Sequence, residues 1–112
     1  MASERPNRRI ALQKVLEDVM ERNGFSKEEV YFQPPVSVKM SYPSIVYNLS
    51  NIRPVYANDK LYLGSKAYSI TIIDRNPDSK IPDDILFTQP LCSFTRFFTS
   101  DNLNHWVFTM YF

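Results

Sequence analysis

Cys92-Ser-Phe-Thr-Arg-Phe-Phe-Thr-Ser-Asp-Asn-Leu-Asn-His-Trp-Val-Phe-Thr-Met-Tyr-Phe112 is the stretch whose reading decides the fold. Two β-type runs flank the turn-forming Asp101-Asn-Leu-Asn104, which predicts a closing hairpin. With Ser100 opposite His105 and Phe97 opposite Phe108, one face carries Trp106, Phe108, Met110 and Phe112 and is assigned to the core. The other face carries His105, Val107, Thr109 and Tyr111. Seven of the chain's sixteen aromatic residues fall here. At roughly 150–250 Å² per ring and about 25 cal/mol per Å², their gross burial is on the order of 35 kcal/mol. Ordering the segment at roughly 1.5 kcal/mol per residue costs about as much, so the hairpin does not persist alone in water. It is core, or core on one face and partner contact on the other.

Upstream of the hairpin, Ser79-Lys-Ile-Pro-Asp-Asp-Ile-Leu86 predicts a short helix. Ser79 is its cap, Pro82, Asp83 and Asp84 make a first turn that favours negative charge, and Gln89-Pro90 closes it. Before it, Lys66 to Asp74 is rich in β-branched residues and reads as the clearest strand. Ser44 to Ser50 reads as a second, more deeply buried one. Val30 to Phe32 and the alternating Val36 to Met40 add two more, with an irregular stretch expected between Pro54 and Asp59. At the N-terminal side, Ile10, Leu12, Val15, Leu16, Val19 and Met20 recur at three- and four-residue spacing over residues 7–23. Arg9, Gln13, Glu17 and Glu21 oppose them, which predicts an amphipathic helix. Asn7 caps it, Asn23-Gly24 supplies a left-handed exit, and Ser26 to Glu29 has capping-box spacing for one further turn. The order predicts a single α+β domain over residues 1–112. It is a mixed or antiparallel sheet with both helices on one face and a closing C-terminal hairpin.

Composition narrows function. Thirteen basic and twelve acidic residues leave a net charge of +1, which gives no electrostatic argument for nucleic-acid binding. The single cysteine, Cys92, excludes an internal disulfide. The basic Met1 to Arg9 runs into an amphipathic segment rather than an apolar one, so no signal peptide is expected, and no stretch approaches a membrane span. Asp74, Asn76 and Asp78 match the first ligand positions of a calcium loop. The required glycine is then replaced by Ser79 and the bidentate glutamate by Ile85, so a strand end, turn and helix cap explain these carboxylates better. Cys92 and His105 fall roughly 26 Å apart in the expected register, beyond reach of a thiol and its base. One histidine and one cysteine have no zinc spacing, and Gly24 and Gly64 build no phosphate loop. No catalytic, metal or cofactor site is expected. Arg53, Tyr56, Lys60, Tyr62, Lys66 and Tyr68 interleave as a single-strand stacking platform would, although half-buried sheet tyrosines account for the same pattern.

The segments Tyr42-Pro-Ser-Ile-Val-Tyr47, Val55-Tyr-Ala-Asn-Asp59, Tyr68-Ser-Ile-Thr-Ile-Ile-Asp-Arg75 with Asn76-Pro-Asp78, and Asp101-Asn-Leu-Asn-His105 followed by Phe108 to Phe112 together resemble the small tail-terminator (tail-completion) proteins of long-tailed bacteriophages. The resemblance spans residues 42–112 and rests on pattern and order rather than a single motif. It implies a structural virion protein at the head-proximal end of the tail, assembled in the host cytoplasm as a ring, usually of six copies. Such a ring ends growth of the tail tube protein and offers the surface that joins the head connector or neck proteins. DNA passes its lumen without being read, and no catalytic residues carry over. The candidate subunit or tube contacts are Tyr56, Asn58, Asp59 and Lys60 in the irregular stretch, with His105, Val107, Thr109 and Tyr111 on the hairpin. The competing readings are another neck or connector component and, in a different class, a small single-stranded nucleic-acid-binding module.

Overall fold

The computed structural model describes residues 8–57 and 60–112, with side chains described outside 52–65. Helix α1, Arg8–Arg22, buries Leu12, Leu16, Val19 and Met20. Its exit is a Schellman turn: Phe25 N–H donates to Met20 O and Gly24 N–H to Glu21 O, with Gly24 at φ +83°. A 3₁₀ turn, Lys27–Glu29, follows, capped by Ser26 Oγ, which accepts from Glu28 N–H at 3.2 Å. Ile10, expected on the core stripe, is 56 % exposed. In the first two turns of α1, Arg9 and Gln13, expected in solvent, reach toward the sheet. Arg9 Nη1 donates to Tyr47 Oη at 3.3 Å, Tyr47 Oη–H donates to Gln13 Oε1, and Gln13 Nε2 donates to Val30 O at 3.3 Å.

The strands are β1 Val30–Phe32, β2 Ser44–Ala57, β3 Lys60–Asp74, β4 Cys92–Ser100 and β5 Leu103–Tyr111, with α2 Ile81–Thr88 between β3 and β4. Among the described residues they form one sheet in the order β1-β2-β3-β5-β4. All neighbours are antiparallel except β1 and β2. The architecture is therefore α+β, with a mixed sheet, an N-terminal helix and a C-terminal hairpin.

Three expectations change. Val36 to Met40 is not a strand. Residues 33–43 supply the return path that parallel β1 and β2 require, and between two proline sites the run turns on itself, Val38 N–H donating to Pro35 O at 3.1 Å. The irregular stretch near Pro54 is instead strand: β2 continues to Ala57 and pairs with β3 as far as Ala57 opposite Lys60. Register shifts at Leu49/Asn51 and Ile52/Pro54 let it accommodate a residue without an N–H. Helix α2 starts one residue late, with Lys80 rather than Ser79 at its cap, while Ser79 Oγ accepts from Ile81 N–H at 3.4 Å.

The closing hairpin also turns more tightly than expected. Asp101 and Asn102 both lie at positive φ, 55° and 63°, a two-residue turn whose twist matches the flanking strands and which short polar side chains tolerate. Ser100 therefore faces Leu103, Phe98 faces His105, Phe97 faces Trp106 and Phe94 faces Phe108. From Arg96 to the turn the slip is two residues, so those side chains keep their faces, whereas the register shift at Phe94/Arg96 moves Phe94 to the helix side. Phe108 and Met110 are fully buried, and Trp106 and Phe112 pack against the same cluster. Cross-strand rows such as Tyr47, Ile70, Phe108 and Phe94 run beneath both helices. Leu12, Leu16, Ile81 and Ile85 complete one continuous core on this side of the sheet.

Candidate functional site

The hairpin face nominated for contacts looks away from the helices. His105 is half-buried and stacks on Phe98, ring centroids 4.5 Å apart and planes at 11°, with Nδ1 3.2 Å from Leu103 O. Thr109 Oγ1 lies 3.1 Å from Thr95 Oγ1, and Tyr111 N–H donates to Leu91 O at 3.1 Å. Val107 is only 5 % exposed, so it contributes packing and little accessible surface. The side chains of Tyr56 and Lys60, and Asn58 and Asp59 entirely, lie outside the described residues. By backbone register, Tyr56 pairs with Leu61 and Ala57 with Lys60 near the far end of the β2–β3 ribbon. Tyr111 faces Ala67 and His105 faces Ile73, about 23 Å and 43 Å along β3 from Lys60. The structure thus places the two nominated groups at different ends rather than in one site.

The acidic cluster is occupied by its own backbone. Asp74 Oδ1 accepts from Asn76 N–H at 3.1 Å and Asn76 Oδ1 from Asp78 N–H at 2.9 Å, the local turns that Asx residues form after a strand. Cys92 faces Met110 and His105 faces Phe98. The tighter turn brings them to about 20 Å along the strand, nearer than expected but still far beyond hydrogen-bond reach. Burial pushes the Cys92 thiol up to about 11. Iodoacetamide alkylation of the folded protein at pH 8 should then run about two orders of magnitude slower than for a free thiol, gaining about tenfold per pH unit. A rate already half-maximal near pH 8.5 would contradict that environment.

What the sequence did not reveal is the outer strand. β4 ends the sheet, and Ser93 to Ser100 are all exposed. Phe94 stays 50 % exposed against Phe108, at 5.5 Å between centroids. Phe97 stays 48 % exposed against Trp106, at 5.4 Å. The two phenylalanines are three residues apart, which would normally put them on opposite faces. A register shift between Phe94 and Arg96 returns both to the helix side, and that odd spacing was the one available hint of a bulge. Next to them, a groove of about 400 Å³ lies where α2 and the turn before it meet β4 and β5, lined by Pro82, Leu86, Phe94, Trp106 and Phe108 with Pro77, Asp78, Ser79 and Asp83.

Compared with protein families, with curated proteins and with solved structures, the chain finds no match. No helix among the described residues is long and apolar enough to cross a membrane.

Proposed function

We propose that the chain is a structural virion protein that assembles as a ring, six copies being the expected number, on the head-proximal end of a phage tail tube. There it ends tube growth and presents the surface that joins the head connector. The resemblance over residues 42–112 motivates this reading, and the observation that supports it most is the β2–β3 ribbon. β3 is covered by β5 only from Ala67 to Asp74, and β2 by β1 only from Ile45 to Tyr47. Their outer reaches pair with each other alone in the described backbone. A two-stranded ribbon is marginal by itself in water. Laid on a neighbouring subunit or on the tube, its backbone gains neighbours beyond the single pairing it has among the described residues. The net charge of +1 is compatible with DNA passing through a lumen without being held.

Native mass spectrometry and electron microscopy of the purified protein, with and without tail tubes, test this reading. Ring-sized species and tubes capped at one end are expected; a protein that stays monomeric and never caps tubes ends the proposal.

A further inference from the structure

We infer that the β4 edge, with Leu86 and Leu91 beside it, is the surface on which a second copy of this chain docks, strand edge against strand edge. Edge strands in soluble proteins are usually short, covered, or interrupted by lysine or proline. β4 runs nine residues, Cys92–Ser100, and carries one charge, Arg96, and one irregularity near Thr95. By contrast the opposite edge is blunted: β1 spans three residues, and its Val30 carbonyl is already taken by Gln13.

The exposed apolar surface flanks the β4 backbone on both sides. Phe94 and Phe97 lie on the helix side, and Phe98, 38 % exposed, lies on the other. Leu86 and Leu91 are 40 % and 60 % exposed. With rings of roughly 150–250 Å², these side chains present about 400 Å² per copy, at the upper end of what a monomer leaves bare. An equal contribution from the facing copy makes about 800 Å² of apolar surface. Two strand backbones and their polar side chains carry that total to the roughly 1,200 Å² of the smaller stable interfaces. Charge does not oppose the pairing, since each copy brings a net charge of +1. A partner recognised by charge would find only Arg96 on the strand, whereas an open edge offers backbone groups that another strand of any sequence can match.

The inference rests on the assembly reading only in that both require copies of this chain to meet: two β4 edges meet about a two-fold axis and close a pair, so a six-membered ring needs its head-to-tail contacts on other surfaces. Sedimentation velocity on the full chain up to about 100 µM should show self-association in the wild type. Phe97→Lys and Phe98→Lys, each checked for native circular dichroism, should raise the dissociation constant by about tenfold or more. Phe87→Ser, which changes a residue 89 % exposed on α2, should leave it unchanged. Two lysine variants on opposite faces are used so that if one fails to fold, the other still reports. A wild type monomeric throughout, or folded lysine variants that associate as the wild type does, overturns the inference. If those variants also cap tubes, the edge assignment fails while the functional proposal stands. If the wild type pairs through β4 but never caps tubes, the functional proposal fails while the edge assignment stands.

Discussion

Phe108→Ala should destabilise the fold by about 3–5 kcal/mol, the usual cost of truncating a buried aromatic. Phe108 is 1 % exposed, in the middle of β5, and belongs to the cluster that joins both helices to the sheet. Its row across the sheet contains Tyr47, Ile70 and Phe94. Deleting the ring opens a cavity whose walls belong to three strands, so collapse is limited. Against a total stability of about 5–15 kcal/mol for a domain of this size, such a loss consumes much of the margin. Urea melts followed by circular dichroism measure it. Phe94→Ala removes a ring that touches Phe108 but is half solvated, and should cost about 1 kcal/mol. Equal losses in the two variants would contradict the burial difference on which the core assignment rests.

Asp84→Ala is expected to loosen the junction between α1 and α2 by about 1–2 kcal/mol near pH 7. The Asp84 carboxylate accepts from Arg22 Nη2 at 2.6 Å and Arg22 Nε at 3.3 Å, from Asn23 Nδ2 at 2.9 Å, and from Thr88 Oγ1 at 3.4 Å. Thus the end of the first helix is tied to the second through one side chain. Arg22 is about half solvated, which keeps the ion pair's share modest. The Arg22 hydrogen bond, with those from Asn23 and Thr88, holds the Asp84 carboxyl below its usual range despite partial burial. A carboxyl depressed in the folded state contributes stability that is fully present above its unfolded value, about 3.9, and is lost as pH falls through the folded one. The gap between wild type and Asp84→Ala should therefore be flat from pH 7 to about pH 5 and close below about pH 4. A gap that widened on acidification would mean that the carboxylate is not stabilised by these donors.

Much of the fold was legible because the local signals agreed with one another. The apolar spacing of Leu12, Leu16, Val19 and Met20, the glycine at 24, the β-branched run ending at Asp74 and the alternation from Trp106 to Phe112 each chose one structure without tertiary help. Failures occurred where a neighbour decides. Gln13 is polar and so reads as solvent-facing, yet it is bonded to Tyr47 and to the Val30 carbonyl across the helix–sheet junction. Pro54 reads as a break, but β2 absorbs it with register shifts. Val36 to Met40 alternates like a strand and is consumed by a parallel connection that periodicity does not announce. For the candidate surfaces, the face of β5 was readable from period two alone. That β4 would be the last strand was not, because strand order is a property of the whole sheet. The exposure of Phe94 and Phe97 follows from that order.

The pairings also differ in how far along the chain they reach. β4 and β5 meet across a two-residue turn and β2 and β3 across a short tip, contacts that close in microseconds. The β3–β5 seam instead joins Ile73 to His105 and Ala67 to Tyr111, with α2 in the intervening chain, so its loop-closure entropy is paid before its contacts reward it. Folding is accordingly expected to be limited by the merging of two hairpins that form quickly but are only marginally stable apart. Substitutions along that seam, at Ile70 or Phe108, should slow folding, whereas changes on the outer strand should act mainly on unfolding.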